Sequence, residues 1–276
     1  MTSEKPLSVY VIGDYNDHLA FNEVNMRIEG NLFGRNINIF NQNVPAFDTM
    51  STGFCLAQLA MNVPTDIEGY TENVKFFVNT APRKDDPKIR VKCAGEGLVY
   101  FKLHNGVEGV AVNSGYSLAF VKAGATEIRE IKADKDGSQF RSRDVFPKAF
   151  AEIVKGNYDI LGEDIRENIP DVPENVVVWT DGYGNLKTSI NPSLIAEATE
   201  KHVKMNINQR HIFGKVGSGI FGVEDGEFCV SVGSSGWTLP DGKDIRFTEV
   251  VLRGGNAARS VDSPHAGKKI DWKLVE

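Results

Sequence analysis

Cysteine is scarce in this chain. Cys55, Cys93 and Cys229 are far apart and odd in number, which excludes a disulfide framework or a cysteine-built metal site and points to a reducing compartment. His18, His104, His202, His211 and His265 never fall at metal-ligand spacing, so no metal is expected. No apolar run approaches the ~18 residues of a membrane-spanning helix. The opening Met-Thr-Ser-Glu-Lys-Pro has no apolar segment of a secretion signal, and a cytoplasmic location with no membrane partner is the expectation. Basic residues are outnumbered, 31 against 37 acidic, for a net charge of −6. With no basic stripe interleaved with aromatics, the composition argues against nucleic-acid binding.

The remainder is an ordinary globular composition over 276 residues, 41% hydrophobic and 25% charged, enough for one large or two medium domains. Leu7 to Gly13 has the pattern of a buried strand and stops at Asp14. An acidic residue there is either a ligand contact at a strand's carboxyl end or a cap of the next helix or turn. A helix is expected over Asn22 to Leu32, a strand over Asn36 to Phe40, a helix over Thr52 to Met61 and a strand over Val74 to Val78. Polar loops close these strands at Pro45-Ala46-Phe47-Asp48 and at Asn79-Thr80-Ala81-Pro82-Arg83.

Arg90 to Lys92, Leu98 to Leu103, Gly109 to Asn113 and Ala125 to Lys132 read as further strands, and Phe146 to Val154 as an amphipathic helix. This alternation argues for an α/β domain over residues 1–168. Two prolines and polar neighbours mark residues 169–174 as a linker. Beyond it, short strands and glycine turns, with one helix near Leu194 to Lys201, argue for a mainly β, barrel-like domain over residues 175–276.

Two glycine-rich stretches need separate treatment. Gly217-Ser218-Gly219-Ile220-Phe221-Gly222 satisfies the spacing of a dinucleotide fingerprint, but a β-like run from Phe228 comes after it where a helix is required. No cofactor role is expected of it. Val176 to Trp179 and Leu186 to Ile190 flank Asp181-Gly182-Tyr183-Gly184-Asn185, the pattern of a strand–loop–strand. The loop is a plain turn or a site carrying a carboxylate, an aromatic ring and an amide.

Taken in order, these loops resemble those of the S-adenosylmethionine hydroxide adenosyltransferases and their fluorinase and chlorinase relatives. The resemblance rests on Asp14, Phe47-Asp48, Val112-Asn113-Ser114-Gly115, Phe140-Arg141-Ser142-Arg143-Asp144, Asp181 to Asn185, Gly233-Ser234-Ser235-Gly236-Trp237 and Gly255-Asn256-Ala257-Ala258. It runs the length of the chain and is thin between the motifs. It implies an α/β N-terminal domain, a β-barrel C-terminal domain and a homotrimer. The substrate, S-adenosyl-L-methionine, would lie between one subunit's N-terminal domain and a neighbour's C-terminal domain. No separate cofactor is implied.

By that resemblance Asp14 binds the ribose hydroxyls, Phe47 flanks the sugar or sulfonium, and Tyr183 stacks on adenine. Asn185, Asn256 and Ala257 read the adenine edge, Asp181 and Ser234 hold the methionine end, and Asn113 and Phe140 complete the contacts. The reaction implied is displacement at the ribose 5′ carbon. The residues expected to handle the nucleophile depart from the family: Asn79 stands where an Asp is expected, Arg83 is a possible match for its Arg, and Arg141 replaces a His. A neutral amide is no base and an arginine stays protonated. Ser142 matches a fluoride-contacting serine, although its place at a helix start favours a cap.

Three readings stay open. Hydrolysis to adenosine and L-methionine is first. The alternatives are transfer to a halide, chloride or fluoride, or another small anion, and non-catalytic binding of adenosine or S-adenosylmethionine.

Overall fold

The computed structural model describes residues 5–80, 96–132 and 140–275. The chain divides into two compact units, Met1–Asp171 and Val172–Glu276. The division falls inside residues 169–174. Arg83, Cys93 and the strand expected over Arg90 to Lys92 lie outside the described residues.

Among the described residues the first unit holds a seven-stranded mixed sheet in the order β2-β1-β3-β5-β4-β6-β7. Its strands are β1 (Leu7–Gly13), β2 (Ile37–Asn43), β3 (Val74–Asn79), β4 (Leu98–Leu103), β5 (Glu108–Val112), β6 (Ala125–Ile131) and β7 (Leu161–Asp164). β2, β1, β3 and β5 run parallel, and β4, β6 and β7 extend the sheet by antiparallel pairing. Parallel neighbours need crossover helices. Helix α1 (His18–Asn31) joins β1 to β2, and α2 (Thr49–Ala60) lies between β2 and β3.

Leu7, Val9 and Val11 of β1 pack with Phe21, Val24 and Ile28 of α1. Short helix α3 (Arg141–Asp144) leads into α4 (Phe146–Val154), whose Phe146, Phe150 and Ile153 join the same cluster. The chain moves outward from β1 to β2, then back across β1 to β3. That reversal is a topological switch point, and ligands of open α/β sheets bind at the strand carboxyl ends beside it.

The second unit is β-rich. Its seven-stranded sheet has the order β14-β10-β11-β12-β13-β9-β8. The strands are β8 (Val177–Thr180), β9 (Leu186–Thr188), β10 (His202–Ile207), β11 (Arg210–Val216), β12 (Phe228–Thr238), β13 (Asp244–Leu252) and β14 (Ile270–Val275). All pairings are antiparallel except β11 with β12. The sheet curls until its two margins meet at the Val176–Lys269 bridge. Val177, Leu186, Val203, Met205, Val230 and Val250 fill its concave side. Helices α5 (Pro192–Glu197) and α6 (Ala257–Ser260) complete the unit.

Several boundaries move from the sequence expectation for local reasons. α1 begins at His18 because the Asp17 carboxylate accepts from the Ala20 N–H. α2 begins at Thr49 because Asp48 accepts from the Ser51 N–H. α5 begins at Pro192, with Asn191 as its cap, and stops at Glu197. The Gly217 to Gly222 stretch leads into β12 and opens no α-helix. Among the described residues no helix is long and apolar enough to cross a membrane.

Candidate functional site

In the first unit the loops after β1, β2, β3 and β5 are tied together by named hydrogen bonds. The Asp14 N–H donates to the Asn79 carbonyl at 3.2 Å, which joins the ends of β1 and β3 at the switch point. The Asp14 carboxylate accepts from the Phe47 N–H at 3.0 Å. Phe47 has φ 63°, a left-handed conformation uncommon outside glycine. Asp14 is thus no helix cap; Asp17 has that role. The Thr52 and Thr80 hydroxyls share a hydrogen bond of 2.7 Å, and the Ser114 hydroxyl donates to the Thr80 carbonyl at 2.6 Å. These bonds anchor the turn carrying Asn113. Asn79 is buried and Phe47 is 47% exposed.

The 140–144 segment corrects one expectation. Ser142 does not cap a helix: α3 starts at Arg141, Phe140 occupies the cap position without a side-chain bond, and Ser142 is buried inside the turn. Arg141 is half-buried, with its guanidinium over the Phe146 ring at 5.1 Å. Arg143 pairs with Glu23 at 2.9 Å and Asp144 at 2.8 Å and covers the Phe140 ring at 5.0 Å. Both arginines are therefore braced by aromatic or acidic neighbours.

In the second unit the Asp181 carboxylate organises its own loop. It accepts from the Tyr183 N–H at 2.9 Å, the Asn185 N–H at 3.0 Å and the Asn185 amide nitrogen at 3.1 Å. Lys187 bridges Asp181 at 3.7 Å and Glu249 at 2.6 Å. Most of the acceptor capacity of Asp181 is thereby used within the protein. Gly184 takes φ 85°, and a Cβ there would overlap the Asn256 side chain. The Gly184 carbonyl accepts from the Ala258 N–H at 2.9 Å, while the Asn256 carbonyl oxygen Oδ1 caps α6 through the Arg259 N–H at 2.8 Å.

The Asp181 to Asn185 loop and the Asn256–Ala257 turn are therefore one surface, from which Tyr183 projects 83% exposed. Ser234 is exposed on β12, beside Gly233, whose Cα faces Glu249.

Sequence reasoning missed Thr80, Ser114, Lys187 and Glu249. The last two sit in alternating strands, where a charged residue reads as solvent-facing. A recess of roughly 530 Å³ on β10, β11 and β14, lined by Lys204, His211, Phe213 and Trp272, includes none of the expected residues. Among the described residues no group of three or more His, Cys, Asp or Glu side chains is placed to hold a metal.

No sequence family and no curated protein matches the chain. Solved structures share its fold, two of them as follows. An uncharacterized conserved protein from Thermotoga maritima has 19% identity and a TM-score of 0.68, over 96% of this chain and 99% of that one. A conserved hypothetical protein from Thermus thermophilus has 15% identity and a TM-score of 0.62, over 98% and 100%.

Proposed function

We propose that this protein binds S-adenosyl-L-methionine and cleaves it at the ribose 5′ carbon, with water or hydroxide as nucleophile and adenosine and L-methionine as products. The observation that carries the reading is the seating of Gly184 against Asn256. The sequence resemblance assigns both segments to the adenine ring, and they form one surface with an exposed tyrosine above it. An exposed ring beside backbone and amide hydrogen-bonding groups suits a planar base. The Asp14 cluster supports the ribose assignment, because it sets a carboxylate at the switch point.

The sulfonium leaves as neutral methionine and needs no general acid. The protein's task is to align the nucleophile behind the 5′ carbon and remove part of its water shell. Asp181, engaged with its own loop, acts in this reading chiefly by holding Tyr183 and Asn185 in place. Ser234 and backbone groups are left for the methionine end. A homotrimer belongs to the same proposal.

The burial of Ser142 away from a capping role favours a second reading, transfer to a halide or another small anion. A neutral amide at Asn79 favours the third, binding without turnover. Incubation with S-adenosylmethionine, with and without chloride and fluoride, separates them. Methionine with adenosine supports hydrolysis, a 5′-halo nucleoside supports the second reading, and binding without methionine release the third. Neither binding nor methionine release contradicts all of them.

A further inference from the structure

The recess of roughly 530 Å³ on β10, β11 and β14 has no part in the proposed reaction. Its volume is in the range of small-molecule pockets, about 300–1,000 Å³. Strand pairing sets its outward side chains in two rows. Phe213, Lys204 and Lys273 stand opposite one another in the first, and His211, Asn206 and Asp271 in the second. Met205 and Ile212, between the rows, belong to the core. Side chains directly opposite on a sheet face have Cβ atoms about 5 Å apart, so each row is continuous.

The first row opposes two lysines, and like charges directly across a strand pair are destabilising. Other basic side chains around these strands are matched. Arg210 pairs with Asp262 at 2.6 Å, Lys215 with Glu200 at 2.5 Å, and Lys269, just ahead of β14, with Asp271 at 3.5 Å. Among the described residues the side chains of Lys204 and Lys273 make no ion pair or hydrogen bond. The recess therefore presents two uncompensated ammonium groups in a chain of net charge −6.

Phe213 supplies an apolar wall. It is 53% exposed, and His202 stacks on it at 5.2 Å with the ring planes 12° apart. Phe213 lines the recess and His202 does not. One face of the phenyl ring is thus backed by the imidazole, and the other is left to the recess.

The geometry points to a second ligand site here, for a small molecule that carries an anionic group on a flat ring. The anion accepts from the Lys204 and Lys273 ammonium groups, which are donors only. The ring stacks on the open face of Phe213. His211 and Asn206 offer the polar contacts that orient it. A nucleoside monophosphate and an aromatic carboxylate share this chemistry. The site lies within the second unit and does not depend on the proposed cleavage of S-adenosylmethionine.

The test titrates uridine 5′-monophosphate and indole-3-carboxylate into the full-length protein by calorimetry. Uridine, indole and inorganic phosphate serve as probes that carry only the ring or only the anion. At least one ring-bearing anion is expected to bind with a Kd below about 1 mM, and about tenfold or more tightly than either of its parts. Binding of the nucleotide alone assigns the site to nucleotides, and of the carboxylate alone to aromatic acids. Phe213→Ala is expected to weaken binding about fivefold or more through lost stacking. The double variant Lys204→Gln, Lys273→Gln is expected to weaken it about tenfold or more. That variant is expected to unfold at the wild-type temperature or higher, because the opposed charges are gone. Excess adenosine, whose proposed place is the surface around Tyr183, is expected not to displace the probe.

Failure of both ring-bearing anions to bind, binding indifferent to these substitutions, or displacement by adenosine overturns the inference and leaves the proposed function standing. A lower unfolding temperature for the double lysine variant also overturns it, since the lysines are then structural. So does a change of its oligomeric state in sedimentation, since the face then lies between copies of the chain. A protein that releases no methionine overturns the proposed cleavage and leaves this inference untouched.

Discussion

The Asp14 carboxylate accepts a hydrogen bond from the Phe47 N–H at 3.0 Å. One side chain after β1 thus fixes the left-handed backbone of the loop after β2. Asp14→Ala removes the acceptor and is expected to cost about 1–3 kcal/mol in urea unfolding. Asp14→Asn keeps a carbonyl oxygen at the same place and is expected to recover most of that stability. Both variants are expected to lose adenosine affinity by about tenfold or more, because the proposed bonds to the ribose hydroxyls lose a charged acceptor. Wild-type affinity in Asp14→Asn would remove the carboxylate from the ribose site.

Gly184 tests whether the two segments of the second unit act as one surface. Gly184→Ala combines a left-handed φ with overlap on Asn256. It is expected to lower stability by at least about 1–2 kcal/mol from the backbone alone. Adenosine binding is expected to fall with it. Asn256→Ala, which removes the cap of α6, is expected to cost about 1 kcal/mol. Denaturant unfolding with calorimetric titration reads both effects. Full adenosine affinity in a folded Gly184→Ala protein would separate this surface from the ligand.

Tyr183 gives the opposite pattern. Its side chain is 83% exposed, so Tyr183→Ala is expected to change stability by no more than about 0.5 kcal/mol. Loss of a stacking partner is expected to weaken adenosine binding by about 1–3 kcal/mol, roughly fivefold to more than a hundredfold. Unchanged affinity would leave the ring without a role in base recognition.

Periodicity and turn chemistry account for the parts of the fold that the sequence made legible. The run ending at Gly13, the helix Phe146–Val154 and the hairpin of β8 and β9 around Asp181 could be read directly, since each pairs a clear apolar pattern with a sharp polar stop. The early starts of α1 and α2 turned on which of several neighbouring polar residues makes the cap, a choice set by backbone geometry. Ser142 was misjudged for the same reason. Its neighbours resemble a helix start, yet the helix begins one residue earlier and buries it. The Lys187–Glu249 pair joins β9 to β13, and long-range pairing of that kind has no local signal.

Acid sensitivity is expected from Glu108. Its carboxylate is buried and accepts from Lys75 Nζ at 2.8 Å, the Tyr100 hydroxyl at 2.7 Å and the Tyr158 hydroxyl at 3.1 Å. Burial pushes its ionisation upward, but the Lys75 charge and these donors outweigh it and hold the carboxyl below 4.5. The folded value lies below the unfolded one, so the group contributes stability above about pH 4.5 that is lost as pH falls through the folded value. Glu108→Gln is expected to flatten that acid slope in urea unfolding. At neutral pH it is expected to cost about 3–5 kcal/mol by leaving Lys75 buried without a counter-charge. An unchanged acid slope would place the sensitivity elsewhere.

Reaction in ¹⁸O-labelled water tests the central proposal most directly. The protein is incubated with S-adenosylmethionine, and the nucleoside and amino acid products are analysed by mass spectrometry. Methionine is expected in equal amount to adenosine, with the label in the 5′ hydroxyl of adenosine and none in methionine. Absence of both products, or methionine formed without a 5′-substituted adenosine, would contradict cleavage at the ribose 5′ carbon.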